Sequence, residues 1–431
     1  MKSLGRVQRA FFVLMLGAYC MASPVFGGGL YISEFGDPVQ GASGAGAGAL
    51  AQDASTAFHN PAGIMRLEAN KNHWMVSALY VDPSMKFSKE SGTTVPPLAA
   101  GEGNGGDAGV SAVGGGFWWA RPISDKLGFG FALNSLSAAA MEYSSGNPNA
   151  NDFVGRYWAS EVDLLTVDLS PSIAWRINEQ WSLGFSVPVR FGQLNMTVSV
   201  PTIGPPHFPA TDGVAQISDG DDISATVALS VFWEATDRLR FGLVYLGENE
   251  LNFSSDLSAT GPMGNPLPLP GNSVDVTLPF VQTLRLSGSS DIGDRMTLLA
   301  TVAWEDWSAF DNLLLSTDAG TGALSRDWKD TWKFALGLRW RTVGAWTHYT
   351  GIAYDSSPTS ASKNTADMPM DEQWRFSLGT NYTLNNGVKL GGVITYADYG
   401  NAPISNGGDW GTVVGKYSTN RIWFLGANIG W

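Results

Sequence analysis

The amino-acid sequence predicts an all-β transmembrane barrel of about fourteen antiparallel strands with an N-terminal hatch in its lumen. Three observations predict it. The chain opens with an export signal. Beyond residue 70 it runs as segments that alternate, with a period of two, between an apolar face and a polar or small one. The connections between those segments alternate short polar turns with long stretches rich in Gly, Pro, Ser, Asn and Asp.

The signal carries Lys2, Arg6 and Arg9, then an apolar core from Ala10 to about Ala22, then small residues ending at Val25-Phe26-Gly27. Cleavage is expected after Gly27, with a cut after Ala22 as the alternative, so residues 1–27 leave the mature protein. A lipid anchor on Cys20 is disfavoured because bulky Tyr19 precedes it. Cys20 is the one cysteine, so the mature chain has no disulfide framework and no thiolate metal site. His59, His73, His207 and His348 lack metal-ligand spacing, and neither metal nor cofactor is expected. The formal charge of −13 becomes −16 once the three basic signal residues are removed, which disfavours nucleic-acid binding.

Residues 28–69 follow as the hatch. The run GGLYISEFGDPVQGASGAGAGALAQDASTAFHNPAGIMRL is rich in Gly and Ala and cannot span a bilayer or build much of a core, so something must enclose it. Residues 70–431 supply the enclosure, with no compositional break that would divide them into domains.

The alternation is clearest near the C-terminus. Trp332, Phe334, Leu336, Leu338 and Trp340 interleave with Lys333, Ala335, Gly337, Arg339 and Arg341, with aromatics at both ends as lipid interfaces favour. Trp374, Phe376, Leu378 and Tyr382 repeat the pattern, as do Trp423, Leu425, Ala427, Ile429 and Trp431. A soluble β-sandwich would alternate too, but Trp at both strand ends is not expected there. No apolar run after Gly27 reaches the ~18 residues of a membrane helix.

Short turns are expected near Pro122 to Lys126, Asn178 to Gln180, Ala235 to Arg238, Asp291 to Arg295, Thr342 to Ala345 and Asn385 to Gly387. Long loops are expected near 83–109, 138–159, 195–222, 252–272, 308–328, 355–371 and 400–418. Six turns and seven loops connect fourteen strands and put both ends of the barrel on the short-turn side, which by the outer-membrane rule faces the periplasm. The acidic run Asp219-Gly220-Asp221-Asp222 reads as part of a solvated loop, with divalent-cation binding as the less favoured alternative.

In several places the chain resembles the FadL/TodX family of outer-membrane channels for long-chain fatty acids and other hydrophobic compounds. The residues that carry the resemblance are Ser33-Glu34-Phe35, the GASGAGAGALAQDAST run, Asn60-Pro61-Ala62, VAWEDWSAF from Val302 to Phe310, WKDTWKFALGLRWR from Trp328 to Arg341, and GIAYDSSP from Gly351 to Pro358. Their order and spacing extend over essentially the whole mature chain.

The resemblance implies a fourteen-stranded barrel with a lumenal hatch. It also implies cargo entering from outside and leaving through a gap in the wall made by a kink in the third strand. Here that strand is expected from Leu127 to Ser137, where Gly128, Gly130 and Asn134 could tolerate a bend; the competing reading is that these residues face a crowded lumen. Leu30 stands where an apolar family residue lines the ligand pocket, and Arg156 resembles a family position near the ligand. Lys333, Arg339 and Arg375 face inward by parity and are expected to pair with acids such as Glu34, Asp53 or Glu305. Asn60, Pro61 and Ala62 are expected to fix a hatch turn.

The function read from this is passive uptake of long-chain fatty acids or related hydrophobic compounds across the outer membrane of a Gram-negative bacterium. Uptake of alkanes or aromatic hydrocarbons, or a general porin, is the alternative. An enzyme is disfavoured because no Gly-x-Ser-x-Gly motif is present, and no catalytic residue is assigned. The expected partners are hydrophobic cargo, outer-membrane lipid and lipopolysaccharide, and the barrel assembly machinery, with the protein itself a monomer.

Overall fold

The structure, a computed structural model, describes residues 32–94, 103–143, 153–200, 212–261, 263–267, 271–318, 320–408 and 411–431. The signal peptide and Leu30 lie outside the described residues.

Fourteen antiparallel strands close into a barrel. The first four are β1 (His73–Lys89), β2 (Ala112–Pro122), β3 (Leu127–Glu142) and β4 (Glu161–Arg176). The next four are each interrupted once: β5 (Trp181–Ser186, Val189–Val200), β6 (Gly213–Ala225, Ala228–Glu234), β7 (Leu239–Leu246, Asn249–Thr260) and β8 (Ser273–Phe280, Thr283–Ile292). β9 (Met296–Glu305) resumes beyond a 3-10 turn as Asn312–Thr317, and Gly320–Ser325 returns toward β10 (Thr331–Arg341). β11 (Trp346–Asp355), β12 (Gln373–Thr383), β13 (Lys389–Asp398) and β14 (Gly411–Gly430) complete the wall. β14 pairs with β1 from Met75↔Gly430 onward, which leaves no open sheet edge at the seam.

The period of two explains the wall. Leu336 is 64% exposed while its neighbour Ala335 is 2% exposed, and Trp332, Phe334, Trp374, Phe376 and Leu378 face outward in the same way. Aromatic pairs mark both ends, Trp346 with Tyr382 at the short-turn end and Tyr354 with Trp374 at the other. All six short turns fall where the sequence puts them.

Three expectations need correction. β3 runs to Glu142 and not to Ser137. Much of the sequence assigned to long loops is strand: β1 continues to Lys89, β7 to Thr260, and β14 starts at Gly411. The acidic run lies in β6, where Asp222 accepts a hydrogen bond from the Asn252 amide of β7. The reason is common to these cases. Beyond the bilayer the outward face of a strand meets water, so polar residues no longer mark its end.

Residues 32–67 lie inside this ring as short helical turns: Pro38–Ala42, Ala47–Leu50, Thr56–His59 and Pro61–Arg66. They bond to inward side chains around the wall. Gln40 donates to Thr395 (3.2 Å), Ser43 to Ser377 (2.8 Å), the Gly46 amide to Thr301 (2.9 Å) and the Ala62 amide to Ser230 (3.1 Å), while Asn428 donates to the Gly36 carbonyl (2.8 Å). Two wall glycines are required by the closeness of this packing. A Cβ at Gly242 would stand 1.9 Å from the Gly48 carbonyl oxygen, and one at Gly351 2.1 Å from that of Ala42.

Candidate functional site: a lumenal cavity and a gap in the wall

A cavity of about 100 Å³ that opens to solvent lies between the N-terminal segment and the inner wall. The segment contributes Ile32, Phe35 and Phe58, with the rings of Phe35 and Phe58 edge to face at 5.1 Å, and β7 adds Leu246. The lining also carries charge: Arg285 of β8, Glu305 of β9, Lys333 of β10 and Asp355 of β11. The cavity is therefore amphipathic, with apolar side chains and charged groups able to meet a polar one.

Most of its charges are already paired. Arg375 of β12 lies 3.0 Å from Glu34 and also bonds Asp355. Lys333 donates to Ser33 at 3.0 Å and stands 3.8 Å from Asp355. His59 and Asp37 join at 2.7 Å, and Glu305 accepts from the Trp307 indole at 2.7 Å. Arg339 donates to Gln52 at 2.8 Å, whereas Asp53 accepts from Ser55 and turns back on its own segment.

Asn60 is buried within the N-terminal segment. Its oxygen accepts from the Ala62 amide at 3.1 Å and starts the Pro61–Arg66 turn; its nitrogen donates to Gly48 (2.7 Å) and to Val231 of β6 (3.1 Å). One side chain thus fixes two turns of the segment to the wall.

Arg156 is elsewhere. It is buried in the connection between β3 and β4, bonded to Asp212 (2.5 Å), Tyr157 (2.7 Å) and the Phe153 carbonyl (3.1 Å), and does not line the cavity. Burial pushes the Tyr157 phenol up to about 12, so it stays protonated and donates to Asp212 at 3.1 Å.

Among the described residues the pairing of β2 with β3 is interrupted. Their ladder ends at Gly116↔Asn134 and the strands meet again only at a single bridge, Gly109↔Met141. Across this stretch β2 stays paired with β1 up to Ala112↔Val81, and β3 stays paired with β4 through a bulge between Ser135 and Ser137. The gap is roughly 20 Å long at ordinary strand rise. Asn134 stands at its lower end, buried, and neither its amide nitrogen nor its oxygen has a hydrogen-bond partner among the described residues. Gly128 and Gly130 sit in the paired part of the ladder instead. A Cβ at either would come within 2.8 Å of Ile64, so their smallness serves close packing of the N-terminal segment.

Sequence reasoning did not single out Arg285, although the signal was present: lipid-facing Leu284 and Leu286 turn it inward. Phe35 and Asp355 enter the sequence reading only as parts of motifs, whereas Glu34 is also expected there as a partner of the inward cations.

The family model of the outer membrane protein transport protein (OMPP1/FadL/TodX) matches residues 18–429. The long-chain fatty acid transport protein of Escherichia coli O6:H1 is 24% identical over 445 residues, covering 96% of this chain and 97% of its own. Outer membrane protein P1 of Haemophilus influenzae is 24% identical over 383 residues, covering 80% and 81%. Among solved structures, a FadL homologue of Pseudomonas aeruginosa superposes with a TM-score of 0.83 at 20% identity, over 93% of this chain and 99% of its own. The Pseudomonas putida toluene transporter TodX gives 0.67 at 14% identity, over 92% and 98%. The fold, the closed seam and the match along nearly the full length agree: the chain belongs to the outer membrane protein transport protein family (OMPP1/FadL/TodX) and is an outer-membrane β-barrel of a Gram-negative bacterium.

Proposed function

We propose that this protein is a passive channel that takes up long-chain fatty acids or related hydrophobic compounds and releases them sideways into the outer membrane. The observation that carries the reading is the coexistence of an amphipathic lumenal cavity with a gap in an otherwise closed wall. Together they offer hydrophobic cargo a holding site and an exit that avoids water.

Residues 28–69 act as the hatch in this reading, supported by the bonds that residues 36–62 make around the wall. Burying about sixteen methylenes at ~0.8 kcal/mol each gives on the order of 13 kcal/mol of gross binding, so release is the harder step. A shift of the mature N-terminus, including Leu30 and Ile32, reshapes the cavity and loosens cargo toward Asn134 and the gap. No catalytic step is part of this reading. The closed seam between β1 and β14 supports a monomer. Insertion by the barrel assembly machinery and contact of the outer loops with lipopolysaccharide follow from the outer-membrane location.

The relatives divide between fatty-acid and toluene transporters, and the charged cavity lining favours cargo with a polar head. Uptake assays with purified protein in liposomes, comparing oleate with toluene, decide between them. Faster oleate transfer supports the fatty-acid reading, and selective toluene transfer replaces it with the hydrocarbon one. Large steady ion currents through the intact protein would replace both with a general porin.

A further inference from the structure

Arg285 is the cavity's uncommitted cation. It is half-buried, lines the cavity, and among the described residues makes no hydrogen bond and no ion pair. Other wall arginines are held by carboxylates: Arg190 by Asp168 at 2.8 Å and Arg240 by Asp291 at 2.9 Å, besides Arg375. The register explains the difference. Arg285 stands opposite Ala303 of β9 on one side and Val244 of β7 on the other, with Glu305 two residues further along β9. Glu305 acts on it through space while its Oε2 accepts from the Trp307 indole and the Thr331 hydroxyl. Asp355, the other carboxylate of the lining, is taken by Arg375 and Lys333.

A guanidinium presents donors in a planar fork that matches the two oxygens of a carboxylate. Phe35, Phe58 and Leu246 line the same cavity and offer an aliphatic chain an apolar bed. Resting on the reading of this cavity as a cargo site, we propose that Arg285 binds the carboxylate head of an amphiphilic cargo whose tail lies against Phe35, Phe58 and Leu246.

The test is equilibrium binding of oleate and of its uncharged counterpart oleyl alcohol to the full mature chain in non-ionic detergent, at a pH where oleate is ionised. Arg285→Gln is expected to weaken oleate by about ten-fold, the scale of a charge-assisted hydrogen bond, and to leave oleyl alcohol within about two-fold. Arg285→Lys, which keeps the charge and loses the fork, is expected between wild type and Arg285→Gln, and it carries the comparison alone if the Gln variant does not fold. Heat-modifiable gel migration reports folding for each. Undiminished oleate binding, or equal losses for both ligands, by folded variants overturns the assignment and leaves the cargo reading standing. A wild-type protein that binds neither ligand overturns the cargo reading and the assignment with it.

Discussion

Arg375 of β12 and Glu34 of the N-terminal segment form an ion pair at 3.0 Å with side chains only 1% and 2% exposed. Asp355 of β11 completes Arg375's coordination, and Lys333 of β10 reaches both Asp355 and Ser33. The start of the described segment is thereby tied to three adjacent strands. Charges in such a setting contribute little net stability when paired, yet removing one partner strands the others.

Arg375→Ala therefore leaves Glu34 buried without a cation and Asp355 with Lys333 alone, and is expected to cost about 3–5 kcal/mol. Reversible unfolding in urea measures it. Adding Glu34→Gln to Arg375→Ala should recover part of the loss, because one stranded charge is then gone. A single variant as stable as wild type would show that the pair is not closed in the membrane.

Gly351→Val is expected to push residues 42–48 off the wall, since even its Cβ falls 2.1 Å from the Ala42 carbonyl oxygen. The β11 ladders to β10 and β12 use backbone groups and persist. Wild type should show almost no steady conductance in planar bilayers and the variant repeated openings. Equal, near-zero currents from both would mean that something other than residues 32–67 closes the lumen.

A protease site inserted after Met263, which is 93% exposed, should be cut on intact cells, whereas one at Asn386 should be protected. The two positions lie at opposite ends of the barrel, between β7 and β8 and between β12 and β13. The reverse pattern would invert the orientation.

How far the sequence specifies these features depends on what faces lipid. Between Thr331 and Arg341 the bilayer demands apolar residues on one face, so period two reveals both the strand and the inward side of Lys333 and Arg339. It reveals Arg285 equally well, between Leu284 and Leu286, although only the fold shows that this cation makes no hydrogen bond or ion pair among the described residues. Above the bilayer the constraint vanishes, which is why Asp219 to Asp222 read as loop. The expected pairing of Arg375 with Glu34 follows from charge and parity. The Arg156–Asp212 pair does not, because its partners stand 56 residues apart in connections without periodicity. The β2–β3 gap is a matter of ladder register, and Gly114-Gly115-Gly116 on β2 and the bulge at Ser135 mark it only after the strands are aligned.

Sideways release through that gap is tested most directly by closing it. Cysteines at Gly114, where a Cβ meets open space, and at Ser135, which follows Asn134 beyond the end of the β2–β3 ladder, can be joined by a short reducible bismaleimide, since Cys20, the one native cysteine, precedes residue 28. The measurement is the rate of oleate transfer into the surrounding bilayer of proteoliposomes. The bridged protein should bind oleate and deliver almost none, with delivery restored on reduction; delivery at the wild-type rate by the bridged protein would contradict lateral release.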